Sequence, residues 1–112
     1  MLRGEVWTAV WPADPSGKER PVLVVSNDWR NRNPHLLDVL VAKITSASRA
    51  DGSSKPLNPA EDVAIVLKKA SLVKCAAIFA VEKSALRRRL LQLAPAAMAQ
   101  VNVKLRNVLD LH

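Results

Sequence analysis

Glu19-Arg20-Pro21-Val22-Leu23-Val24-Val25-Ser26-Asn27-Asp28 is the stretch on which the reading of this chain turns. From Pro21 to Ser26 the apolar residues run on without alternation, the pattern of a short strand buried on both faces. This segment is therefore the best candidate for the centre of a sheet. Arg20 stands at the junction where a loop enters that strand. Behind it, Asn27 and Asp28 offer side-chain oxygens that can accept from the free amides of a helical turn, and Pro34 ends that turn.

Working outward, Pro12 to Arg20 contains two prolines, a glycine and alternating charge, which reads as a loop. Glu5 to Trp11 is rich in β-branched and aromatic residues and reads as a first strand closed by Pro12. Leu37 to Thr45 is a third strand, and the polar stretch from Ser46 to Pro59 is expected to be a mobile loop. Val63 to Leu67 and Ile78 to Glu82 are further strands, separated by Lys68 to Lys74, and another surrounds Leu90 to Leu93. After Pro95, the spacing of Met98, Val101, Leu105 and Val108 places them on one face of a helix. Short strands in succession with one terminal amphipathic helix imply a mainly β, mostly antiparallel barrel or half-barrel with the helix packed on it. No βαβ alternation is present, so a parallel sheet is not expected. A chain of 112 residues fits one domain, residues 1–112.

Seventeen Lys plus Arg against ten Asp plus Glu give a net charge of +7, which favours polyanions: a nucleic acid or an acidic protein segment. The same charge also serves solubility. Only Trp7, Trp11, Trp29 and Phe79 are available to stack on bases, which argues against an extended aromatic platform for single strands. No apolar run approaches the roughly 20 residues of a membrane-crossing helix, and no signal-peptide core follows Met1, so a cytoplasmic location away from membranes is expected. Cys75 has no partner for a disulfide, sits among apolar neighbours and reads as a core residue despite the adjacent Lys74. His35 and His112 lack a ligand pattern, so no metal is expected. The sequence contains no Gly-rich phosphate loop, HExxH, CxxC or GxSxG. His35, beside Pro34 in a polar turn, reads as solvated rather than as half of a nucleophile pair.

Arg3-Gly4-Glu5-Val6-Trp7, then Glu19 to Asp28 as quoted above, then Ile44-Thr45-Ser46, resemble in order and spacing the MazF/PemK family of toxin ribonucleases. Ser71-Leu72-Val73-Lys74-Cys75, Val81-Glu82-Lys83-Ser84 and the closing helix extend the likeness over nearly the whole chain. The resemblance implies an SH3-like barrel of the CcdB/PemK kind, with a C-terminal helix on the sheet. It further implies a homodimer that cuts single-stranded RNA without metal or other cofactor and is silenced by a cognate acidic, MazE-like antitoxin. The family's catalytic arginine falls on Arg20 and its catalytic threonine on Thr45. RNA contacts are implied at Lys18, Glu19, Asn27, Ser46 and Lys74.

The chemistry suits those positions. In metal-free cleavage the ribose 2′-hydroxyl attacks the adjacent phosphorus, so the protein must manage a 2′ proton, a departing 5′ oxygen and extra charge on the phosphoryl oxygens. A guanidinium at Arg20 can hold two such oxygens in a fork, and the Thr45 hydroxyl can donate one more hydrogen bond. A guanidinium is a poor base near neutrality, so charge stabilisation ranks first for Arg20. Without the resemblance, Arg20 reads as a solvated junction residue and Thr45 as an ordinary strand end.

The chain departs from the family pattern in two places. Ser16-Gly17-Lys18-Glu19-Arg20 is compressed relative to the family's longer loop. An acid, an amide and an arginine of the family's Asp/Glu-Gln-Ile-Arg-Thr strand are lost in Ala76-Ala77-Ile78-Phe79-Ala80, which leaves proton transfer without a named group. Arg87-Arg88-Arg89 either tracks RNA or an acidic antitoxin, or blunts a solvated strand edge. Two other functions stand beside the nuclease: a non-catalytic RNA- or protein-binding barrel, and a DNA-gyrase poison. The latter carries a tryptophan-containing C-terminal motif that Arg106 to His112 lacks.

Overall fold

The computed structural model describes residues 1–11 and 14–112. Its elements in chain order are β1 (Glu5–Val10), β2 (Glu19–Val24), α1 (Asp28–Arg32), β3 (Asp38–Ser46), β4 (Asp62–Val66), β5 (Ala70–Glu82), a 3-10 turn at Lys83–Ala85, β6 (Leu86–Gln92) and α2 (Pro95–Leu109). The strands form one six-stranded sheet in the order β4-β5-β3-β2-β1-β6, with every neighbouring pair antiparallel. The expected mainly β architecture with a terminal helix is what the chain adopts. β2 and β3 take the two central positions, and Val22, Leu23 and Val24 are fully buried. An unbroken apolar run suits that place because both faces of the strand meet other side chains.

Those faces differ. Leu23 joins Val6, Ala42, Ile44, Val63, Val73 and Cys75 in a cluster that Val101 of α2 completes, with Met98 and Leu105 packed against it. Val22 and Val24 point the other way, into a cluster with Ala9, Val39, Val41, Val81 and Leu86, flanked by Trp7 and Trp11. No residue of α2 belongs to this second cluster. Pro95 opens α2, where its missing N–H costs nothing, and Asp110 closes it in the left-handed conformation at φ 55°. Met98, Val101 and Leu105 of the helix stripe are thus core, whereas Val108 is only partly buried and joins neither cluster.

Several stretches differ from their expected bounds, β6 among them, which starts at Leu86 and not near Leu90. β2 begins at Glu19 because Val10 pairs with Glu19 and Ala9 with Arg20, which draws the end of the loop into the ladder. β5 is one strand of 13 residues, not a segment followed by a strand. Its register jumps: Ala42 faces Ile78, whereas Lys43 faces Lys74, so Cys75, Ala76 and Ala77 are looped out of the pairing. The stretch after Ser46, expected to be a mobile loop, folds back on itself. The Arg49 amide donates to the Ser53 carbonyl, the Lys55 amide donates to the Ala47 carbonyl, and Ser48 bridges Ser54.

Glu5, buried at the start of β1, shows how a charge is kept inside this fold. Burial pushes its carboxyl up, but hydrogen bonds donated by the Leu2 amide, Arg89 and the Trp7 indole outweigh it and hold the group below its ordinary 4.5. A depressed carboxylate contributes stability above its unfolded pKa, and that contribution is lost as pH falls through the folded pKa. Glu5→Gln therefore lowers the melting temperature near neutrality, and the gap to the parent closes as pH drops below 4.5. A melting-temperature series against pH checks this; a gap that stays constant would mean that the carboxylate is not the stabilising form.

Candidate active site

The ends of the curled sheet frame a cleft of about 1130 Å³. Its walls come from the start of β2, the end of β3, the β4–β5 turn and β6. β4 and β6 are the two edge strands, and the cleft is lined both by β6 and by the turn that joins β4 to β5, at the mouth of an open half-barrel. Seven cationic side chains line it against two acidic ones, Asp14 and Glu19. Among the described residues only one of those cations, Arg20, has an ion-pair partner. A concave wall with unpaired positive charge concentrates anions, since field lines are focused where solvent is excluded.

Arg20 and Thr45 both line this cleft. In the β2–β3 ladder Val24 faces Val41, Leu23 faces Ala42 and Val22 faces Lys43. The ladder ends at Val22 and Lys43, and strand alternation puts both Arg20 and Thr45 on the sheet face turned away from α2. The Arg20 guanidinium is 45% exposed and lies 3.5 Å from Asp14. The Ser16 hydroxyl and amide both donate to Asp14, and with the nearby charge of Arg20 they hold its carboxyl below the usual range. Asp14 is thus an anchored carboxylate beside the guanidinium. Its signal in the sequence was the Asp-Pro-Ser turn ahead of Arg20, which the sequence reading passed over.

Lys18, Glu19 and Ser46 also line the cleft, with the Glu19 carboxylate accepting from the Thr8 hydroxyl. Asn27 and Lys74 do not. The Asn27 side chain accepts from the Arg30 amide at 2.8 Å and caps α1. The Lys74 ammonium donates at 2.8 Å to Asp62, a buried carboxylate that also accepts from the Asn58 amide. Both side chains are committed to the fold. Lys74→Met would leave Asp62 buried without its cation, at a cost of about 2 kcal/mol, below the ~3–5 of a fully enclosed pair because the lysine is partly solvated. Chemical denaturation checks this; a loss under about 0.5 kcal/mol would free Lys74 for another role.

Arg87, Arg88 and Arg89 fall in edge strand β6 and have separate fates. Arg88 lines the cleft, Arg89 donates to Glu5, and Arg87 is exposed. Lys43, Lys55, Lys68 and Lys69 also line the cleft. The sequence reading did not single them out as a group, because they come from separate elements that only the fold brings together.

Cys75 is fully buried, and desolvation together with the charge of Asp62 pushes its thiol up to about 11, so it stays protonated and inert. Among the described residues no group of three or more His, Cys, Asp or Glu side chains could hold a metal ion. No helix among the described residues is long and apolar enough to cross a membrane.

A half-barrel of antiparallel strands, backed by a terminal helix and opening on a cleft of unpaired cations, defines a small β protein suited to a polyanion. The chain belongs to the PemK-like, MazF-like toxins of type II toxin–antitoxin systems, whose family model matches residues 2–109. No curated protein sequence matches it. It is similar to an endoribonuclease in complex with its cognate antitoxin from a mycobacterial species, at 28% identity and a TM-score of 0.78 over 100% of this chain and 97% of that one. It is also similar to the Mycobacterium tuberculosis toxin MazF-mt6, at 25% identity and a TM-score of 0.73 over 96% and 98% of the two chains. A MazE-MazF structure from Deinococcus radiodurans shares the fold, at 18% identity and a TM-score of 0.74 over 100% and 97%.

Proposed function

We propose that residues 1–112 act as one toxin unit, a cytoplasmic endoribonuclease that cuts single-stranded RNA without metal and thereby stops translation and growth. The observation that carries this is that Arg20 and Thr45 line one cleft together with six further cations. RNA supplies its own nucleophile: the 2′ oxygen bonds to phosphorus, the bond to the 5′ oxygen breaks, and the 2′ proton is lost as one is gained by the leaving oxygen. The products are a 2′,3′-cyclic phosphate and a 5′-hydroxyl end. Arg20 grips two phosphoryl oxygens and offsets the charge that builds on them. Thr45 donates a further hydrogen bond. Asp14 holds the guanidinium in register as a positioning residue. Lys18, Glu19 and Ser46 contact the RNA beside the scissile phosphate.

The endoribonuclease similar to this chain is complexed with its cognate antitoxin, which supports neutralisation here by a cognate antitoxin; that the partner is acidic and MazE-like and that the chain pairs as a homodimer belong to the same proposal. Incubating the purified chain with a long transcript in EDTA tests the activity. Discrete cuts with 5′-hydroxyl ends are expected. Binding without cuts would leave a non-catalytic barrel, and topoisomerase inhibition without cuts would indicate a gyrase poison.

A further inference from the structure

We propose that Trp11, braced by Phe79, is a stacking site for one base of the bound RNA next to the scissile phosphate. The inference rests on the reading above that the cleft takes single-stranded RNA. Trp11 follows directly on β1, whose Ala9 pairs with Arg20, and it lines the same cleft as Arg20 and Thr45. Strand alternation puts Ala9, Trp11, Arg20 and Thr45 on one face of the sheet, the face that α2 leaves uncovered.

The indole is held from behind. Phe79, opposite Val41 on that same face, meets Trp11 edge to face, with ring centroids 5.1 Å apart and planes at 66°. Trp11 is half-buried against the second cluster, while Phe79 is 45% exposed. The other two tryptophans are placed differently. The Trp7 indole donates to Glu5, and Trp29 stands exposed on α1 outside the cleft. One aromatic ring thus borders a cationic cleft and is fixed by another.

Phe79 occupies a position where the related sequence pattern has an arginine. Exchange of a cation for an aromatic removes a positive charge from this face and supplies the brace for a salt-insensitive contact. Stacking uses the π-face that every base has, so this site sets the register of the strand on the cleft more than its sequence. The small aromatic content excludes a platform for many bases. It leaves room for one.

The test uses the Arg20→Ala chain, in which cleavage is slowed enough to measure binding, and reads it by the anisotropy of a short labelled single-stranded RNA. The same RNA is then made abasic at one position at a time. One abasic position is expected to weaken binding on the order of tenfold, and Trp11→Ala to weaken it similarly. The two changes together are expected to cost little more than either alone, because both remove the same contact. Trp11→Phe should retain most of the affinity, and Phe79→Ala should lose part of it without changing the oligomeric state. Unchanged affinity in Trp11→Ala, or abasic effects that simply add to it, would overturn the stacking site while leaving cleavage by the parent chain intact. Changed assembly of Phe79→Ala with unaltered RNA affinity would assign the pair to a protein contact instead. An RNA that binds no form of the chain sinks both this inference and the reading beneath it.

Discussion

An Arg20→Ala chain is expected to fold like the parent and to cut RNA on the order of 10²–10³-fold more slowly, the loss typical of removing one preorganised donor from a developing oxyanion. Two features make the outcome clean. The side chain is 45% exposed at the head of β2, and its only ion-pair partner among the described residues, Asp14, is 3.5 Å away. An exposed pair at that distance contributes little to stability, so the circular dichroism spectrum and melting temperature should hold. Thr45→Ala removes a neutral donor and should cost roughly tenfold, with Thr45→Ser restoring most of it. Cleavage is followed on a long transcript in EDTA. Undiminished cutting by folded Arg20→Ala protein would move the chemistry elsewhere in the cleft.

The largest expected effect on stability belongs to Leu23→Ala. Leu23 is fully buried, pairs with Val6 on one side and Ala42 on the other, and faces the cluster that α2 covers. Truncation removes the transfer free energy of its side chain and leaves a cavity that a central strand cannot collapse into, at about 3 kcal/mol. Small domains hold only about 5–15 kcal/mol in total. The melting temperature should therefore fall by roughly 10 to 20 °C. A fall of a few degrees would show that the sheet can close around the gap and that the centre of the fold lies elsewhere.

Leu23 and Arg20 also mark the limits of what the sequence discloses. The run from Pro21 to Ser26 announces a central strand because its apolar residues are consecutive, and two-sided burial leaves no other pattern. The α2 face is equally plain, since Met98, Val101 and Leu105 repeat at helical spacing and all pack on the core. β5 was hidden for a physical reason. Val73 and Cys75 face the helix side while Phe79 and Val81 lie on the other face, so the alternation reverses inside one strand and no single period describes it. At the candidate site the family pattern points to Arg20 and Thr45 as two separate residues; only the fold brings them into one cleft. Lys43, Lys55, Lys68 and Lys69 of the cleft come from separate elements and carry no such pattern. Asn27 was correctly read as able to cap a helical turn, and that use of its side chain explains its absence from the cleft.

The three residues looped out of β5 bear on how such a chain can change over generations. Ladder positions are constrained by their partners, and core positions by their neighbours. Ala76 and Ala77 sit in the register jump and are not buried, so neither constraint acts fully on them. Here the sequence parts from the pattern it otherwise follows, losing an acid and an amide. A bulge of this kind is a place where side chains can change while the scaffold is spared.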